Sequence, residues 1–236
     1  MLIEIAGIRI AIENRYGQME RMSKDYIVEE DGKPVDIQIS VSEADIDVFE
    51  KLSEEDLPRG AHEVTAILAK LCDELVAYDA FFLHAAVVAV DGQAFAFSAR
   101  SGTGKSTHIR SWLKEFGDRA QVVNGDKPFC FKRGDALLAA GTPWCGKEGW
   151  QTNTQVPLKG ICFLERGTEN KIRPIEQGEI LERLFSQLRL PEDSLKMLKV
   201  MELLDWTMNH IPFYILECTP DPEAALVSYQ GMTSDE

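Results

Sequence analysis

The opening run "LIEIAGIRIAIE" alternates apolar and polar positions with the period of two that a half-buried strand needs, and "PVDIQISVSE" repeats the pattern. Together they predict a small antiparallel layer. From Arg59 to Ala80 the period changes. Val64, Ile67, Leu68, Leu71, Leu75 and Val76 recur at helical spacing, which predicts an amphipathic helix. "FFLHAAVVAVDGQAFAFSA" then reads as two strands joined at Asp91-Gly92, a pair suited to a tight hairpin. A glycine-rich loop follows, then a helix from Lys105 to Phe116 stopped by Gly117. "AQVVNGDKPFCF", "DALLAAGTPWCG", "LKGICFLERG" and "PFYILEC" supply further strands. "GEILERLFSQLRL" (halted by Pro191), "SLKMLKVMELLDWTMNH" and the region of "DPEAALVSY" supply helices. Strand-to-strand connections are too frequent for a strictly alternating parallel sheet, so the expected class is α/β with a mixed sheet. The expected division is a β-rich extension over residues 1–58, packed on a main domain over 59–236.

Charge narrows the partners. The 236 residues hold 39 acidic and 25 basic side chains, a formal charge of −14, which opposes binding to nucleic acid or an anionic membrane surface. A small anion can still be held by a local basic or backbone-amide pocket. The five cysteines (72, 130, 145, 162 and 218) are scattered and never in a CxxC spacing. They read as reduced thiols rather than a disulfide frame or a zinc site. Cys145 has no base beside it in sequence to make it a nucleophile. The N-terminus lacks the basic start of a signal peptide, and no apolar run is long enough for a membrane span, so a cytoplasmic protein is expected.

The pointed chemistry lies in "AFSARSGTGKSTHIRSW", residues 96–112. Scored against G-x-x-x-x-G-K-[ST], the run matches at Gly104, Lys105 and Ser106 and carries Ala99 where the first glycine belongs. It follows the short strand "QAFAF" and opens a helix, the context a phosphate-binding loop requires. Gly102 and Gly104 let successive N–H groups turn inward as an anion cradle that continues into the positive end of the helix. Lys105 adds a mobile charge for the outer phosphates, and Ser106 offers a hydroxyl to Mg²⁺. Ser101, Gly102, Thr103, Gly104, Lys105, Ser106 and Thr107 are therefore the expected nucleotide contacts. The plainer alternative is a Gly/Ser-rich turn that happens to precede a helix. A carboxylate near the metal is also needed, and Asp126 in "VVNGDKPF" is the candidate, against a solvated turn aspartate. If this segment is extended, the neighbouring Lys127 points the other way.

In order and spacing the chain resembles the catalytic domain of the HPr serine kinase/phosphorylases and the wider HPr kinase-like group related to ATP-dependent phosphoenolpyruvate carboxykinase. "LHAAVVAVDGQAFAFSARSGTGKST" is similar to the family's hairpin opened by a histidine and running into a phosphate loop. "VVNGD" falls where the family has paired aspartates, and "IPFYILECTPDPEAAL" is similar to its closing strand and helix. The resemblance covers roughly residues 80–220. It implies a P-loop domain of that type, with ATP and Mg²⁺ as cofactors and His84 near the terminal phosphate. Asp126 and Lys105 would serve the chemistry, and Ser106 and Asp126 the metal. For His84 a satisfied histidine near the core is the alternative. Two departures matter: Gly125 replaces the first aspartate of the pair, and Thr107 replaces a glutamate. Both argue against HPr itself as the acceptor.

The leading expectation is thus a kinase moving the γ-phosphoryl of ATP to a hydroxyl on a small molecule or protein, with homo-oligomerisation left open. The rivals are a nucleotide-binding regulatory or accessory module and a carboxykinase-like enzyme. The segment 141–153, "GTPWCGKEGWQTN", is read either as a binding loop or as a surface loop anchored by two tryptophans. In the first case Lys147 meets a phosphate and an indole covers a base or acceptor. Arg166 is a further candidate phosphate contact.

Overall fold

The computed structural model describes residues 1–100 and 102–234. Its first layer is a three-stranded sheet of β1 (Leu2–Ile5), β2 (Ile8–Glu13) and β3 (Ile37–Ser40), with two short helices, α1 (Gly17–Met22) and α2 (Glu43–Leu52). Two expectations are corrected here. The opening run is not one strand but a hairpin, because Ala6 and Gly7 both take positive φ (51° and 79°), the two-residue turn that matches strand twist. The layer is also not purely antiparallel, since β2 and β3 run parallel across a long connection. The helix α2 escaped the strand pattern, yet its start is written in the sequence. Ser42 and Asp45 form a reciprocal capping box on its first turn.

The helix α3 (Arg59–Leu75) buries the apolar stripe predicted for it and ends earlier than Ala80. A 3₁₀ turn at Val76–Tyr78 and a left-handed Asp79 release the chain into β4 (Ala80–Phe82). Beyond it lies the large sheet. Its strands are β4, β5 (Ala86–Val90), β6 (Gln93–Ser98), β7 (Ala120–Asn124), β8 (Phe129–Arg133), β9 (Ala136–Ala140), β10 (Gln155–Arg166), β11 (Lys171–Pro174) and β12 (Phe213–Cys218). The order is β4-β8-β9-β10-β6-β5-β7, with β12 on β10 and β11 on β12. The 12-residue β10 is the hinge of this arrangement. Its first residues pair antiparallel with β9, while the rest runs parallel between β6 and β12. The expected mixed-sheet α/β class is the one the chain adopts.

Four more helices cover the two faces. The helices α5 (Gln177–Phe185) and α6 (Ser194–His210) pack Ile180, Leu184, Val200, Leu203 and Leu204 on one face. On the other lie α4 (Lys105–Phe116) and α7 (Ala224–Thr233), with Ile109, Trp112, Phe116, Ala225 and Met232 buried. Trp112 sets the angle of α4: its ring lies 4.9 Å from Phe95 and 5.2 Å from Phe97, both on β6. Such aromatic pairs contribute about 0.5–1.5 kcal/mol each beyond area burial. The C-terminal ends of the three parallel strands, at Ser98, Arg166 and Cys218, therefore meet on one edge with the N-terminus of α4. Open α/β sheets bind ligands at that edge.

Candidate functional site

The loop between β6 and α4 has the geometry an anion cradle needs. Gly102 and Gly104 take φ of 77° and 125°, values that disfavour any side chain, and a Cβ at either would point into open space. Gly104 stands at the N-cap of α4 and, among the described residues, no side chain caps the helix, which leaves its N-terminal dipole facing outward. Arg166 pins the loop from below, donating to Gly102 O at 2.8 Å. The sequence pointed to Arg166 as a phosphate contact; in the structure its exposed side chain lines the clefts beside the loop while one N–H holds the loop backbone. Ser101 lies outside the described residues.

His84 sits between β4 and β5, held by its amide on Gln187 O (2.8 Å) and by its carbonyl on Ser98 Oγ (2.8 Å). Its Nε2 lies 3.1 Å from Asp126 Oδ1 and 3.0 Å from Lys105 Nζ, and Lys105 also donates to Ala99 O at 3.1 Å. Three residues far apart in sequence thus form one chain of contacts at the mouth of the loop. Asp126 is fixed by an Asx turn: Asn124 Oδ1 accepts from the amides of Asp126 (2.9 Å) and Lys127 (2.7 Å). That turn corrects the expectation for Lys127. The segment is bent rather than extended, so the Lys127 ammonium folds back onto Asp126 Oδ2.

Burial alone would raise the Asp126 carboxyl, but hydrogen bonds from His84 and Lys127, with their charge, hold it well below the usual carboxylate range. Burial lowers the Lys105 ammonium from its ordinary value, opposed by the charge of Asp126. A cleft of about 480 Å³ opens over these groups, its charged lining among the described residues being Arg100, Lys105, Arg110 and Lys147 against Asp126 and Glu148. A protein of formal charge −14 thus carries a basic pocket at its phosphate loop. A second cleft, of about 430 Å³, adjoins Gly102–Gly104 on the side of Thr107, His108 and Asp221.

The segment 141–153 closes one side of the first cleft, and its two tryptophans part company. Trp144 is only 4% exposed, packs on Phe129 and donates from Nε1 to Val64 O at 3.1 Å, so it is an anchor and covers no ligand. Trp150 is half-buried, with the Arg110 guanidinium 5.2 Å above its ring, and Lys147 lines the cleft. The same loop accounts for Gly125. A Cβ there would lie 2.8 Å from Cys145 O and 3.3 Å from Trp150 O, while Gly125 N donates to Trp150 O at 2.8 Å. An aspartate at this position and the loop in this place exclude each other.

The oxygens that could serve a divalent ion are Ser106 Oγ and the Asp126 carboxylate. Among the described residues no three His, Cys, Asp or Glu side chains converge as a metal site. Such a donor set fits an ion that arrives with phosphate oxygens and does not fit one caged by protein alone. Among the described residues, no helix is long and apolar enough to cross a membrane.

No family model matches the chain, and no curated protein matches it. Among solved structures it is similar to the Hpr(Ser) kinase/phosphatase from Coxiella burnetii, at a TM-score of 0.36 and 12% identity, over 64% of this chain and 87% of that one.

Proposed function

We propose that the chain is an ATP-dependent phosphotransferase, binding the nucleotide phosphates on residues 101–107 and transferring the γ-phosphoryl to a hydroxyl acceptor. The observation that carries this is the Lys105–His84–Asp126 chain, with contacts of 3.0 and 3.1 Å, at the mouth of an uncapped helix in a basic cleft. An anion cradle alone needs no carboxylate; a transfer site needs one beside the lysine that meets the outer phosphates.

The acceptor oxygen forms the new P–O bond as the bond from the γ-phosphorus to the β–γ bridging oxygen breaks, and the nucleoside diphosphate leaves with that oxygen. Asp126 accepts a hydrogen bond from the attacking hydroxyl and orients it, and the hydroxyl proton passes to an oxygen of the transferred phosphoryl group. His84 orients the carboxylate, and Lys105 neutralises charge on the phosphoryl oxygens. Mg²⁺ bound with the nucleotide would be held by Ser106 and Asp126 and would supply further charge neutralisation.

A second reading is favoured by one observation. Asp126 is engaged by both His84 and Lys127, and Gly125 leaves no room for a second acid. A binding module that senses nucleotide with little transfer fits that engagement. Single-turnover incubation with γ-labelled ATP and Mg²⁺ separates the two. The expected result is label release or transfer that Asp126→Asn slows by about 10²-fold or more while ATP still binds. Equal rates in the two proteins would leave the module. Unchanged ATP-dependent thermal stabilisation in Lys105→Ala would overturn this loop as the place where the phosphates bind.

A further inference from the structure

A third cleft, of about 680 Å³, lies between the entry of the phosphate loop and α5. Arg100 lines both this cleft and the basic one over Lys105, so the two meet at a single side chain. A molecule here would be the neighbour of a terminal phosphate held by the loop. The wall formed by α5 and the end of β10 is acidic, but most of its charge is spent: Glu165 pairs with Arg183 at 2.6 Å and Glu179 with Arg173 at 3.2 Å. Glu182 is exposed in the cleft and makes no ion pair among the described residues.

The lining of the cleft includes Gln187, only 7% exposed, whose Nε2 donates to Ser186 Oγ at 2.9 Å while its Oε1 is buried with no partner. A buried acceptor left unpaired carries an uncompensated desolvation penalty, and a donor that satisfies it removes that penalty. Its backbone carbonyl is the one that holds His84 N, so the lining of this cleft and the transfer site share a residue. Both unspent groups on the α5 side are acceptors, one of them anionic, whereas the loop side presents the Arg100 guanidinium.

We propose that this cleft is the acceptor subsite and that it takes a hydroxyl-bearing amine of the amino-alcohol class. The ammonium meets Glu182 and, after a turn of the side-chain amide, Gln187 Oε1. The hydroxyl faces Arg100 and the terminal phosphate. This rests on the nucleotide-binding reading above and names the substrate class for it.

The test is ligand-observed NMR with ethanolamine, 2-amino-1,3-propanediol and glycerol, each added to the full chain with Mg²⁺ and a non-hydrolysable ATP analogue whose own affinity is measured first. At least one amine binds, about tenfold tighter than glycerol, and Glu182→Gln and Gln187→Leu each weaken it about tenfold with the analogue's affinity within about twofold. The subsite is overturned if analogue binds and no amine does, if glycerol binds as well as the amines, or if Glu182→Gln leaves amine binding unchanged. If the analogue itself does not bind, the phosphate-loop reading falls and takes the subsite with it.

Discussion

Acidification destabilises this protein through one side chain at the phosphate-loop helix, His108. The ring is 4% exposed, its Nε2 accepts from Trp112 Nε1 at 3.0 Å, and Ser228 Oγ lies 3.2 Å away. Burial pushes it down from its ordinary 6.5 to about 3. A group depressed in the folded state contributes stability that is full above its unfolded value and is lost as pH falls below it. Below 6.5 the unfolded ring takes up a proton that the folded ring refuses, at about 1.4 kcal/mol per pH unit. Between pH 7 and pH 5 the loss is about 2 kcal/mol, a sizeable part of the 5–15 kcal/mol typical of a domain. Urea unfolding of wild type and His108→Gln, followed by tryptophan fluorescence at pH 7, 6 and 5, measures it. The variant keeps an acceptor for Trp112 and has nothing to titrate there, so contributions from other groups cancel in the difference. Equal acid losses in the two proteins would refute the claim that burial and the indole donor keep this ring neutral.

Gly125→Asp should not restore an acid to the site. Its Cβ would meet Cys145 O at 2.8 Å, so the variant should lose about 1–3 kcal/mol in urea unfolding and bind Mg-ATP more weakly. Trp144→Ala should cost about 3–5 kcal/mol, because the indole is buried and hydrogen-bonded to Val64 O, and calorimetry should show a lower Tm. Ser42→Ala removes the capping box of α2 and should cost about 1 kcal/mol with no change in nucleotide affinity by titration. Gly104→Ala forces a side chain to φ of 125° at the helix N-cap. It should abolish nucleotide-dependent thermal stabilisation while costing about 1–3 kcal/mol in urea, since its Cβ meets nothing.

What the sequence made legible follows from the range of the interactions involved. The hairpin at Asp91-Gly92 and the helix from Lys105 to Phe116, ended by Gly117, are set by neighbours within a few residues, and both stand as expected. The hairpin at Ala6-Gly7 is equally local, but alternation on both sides of it (Ile3-Glu4-Ile5 and Ile8-Arg9-Ile10) reads as one run although its phase slips between Ile5 and Ile8, and alanine at positive φ gives no composition signal. The capping box at Ser42 was open to view in the sequence and was overrun by the strand pattern before it. The pairing of β10 with β6, β9 and β12 is different in kind. At β6 and β12 it brings together segments more than 50 residues apart, and no local period records which strands will meet.

The site divides in the same way, and the division explains why a missing acid was misleading. Gly102, Gly104 and Lys105 announce themselves because their spacing is their chemistry. His84 and Asp126 were placed by order along the chain, and the fold brings Asp126 Oδ1 to 3.1 Å and Lys105 Nζ to 3.0 Å from one atom, His84 Nε2. Gly125, by contrast, reads in sequence as a deletion from a catalytic pair. In space it is the seat of the 145–150 backbone, and that backbone carries Lys147 and Glu148 to the cleft wall. The position therefore exchanges a carboxylate for a loop that brings its own charges, and the two cannot coexist. Gln187 carried no sequence signal at all, because an orphaned acceptor is defined only by what fails to surround it. The residues that would choose the acceptor thus lie on the loop, on β10 and around α5, while those that would hold the phosphates lie in one decapeptide. A change of acceptor could accordingly proceed at Glu182 and Gln187 with the phosphate cradle untouched.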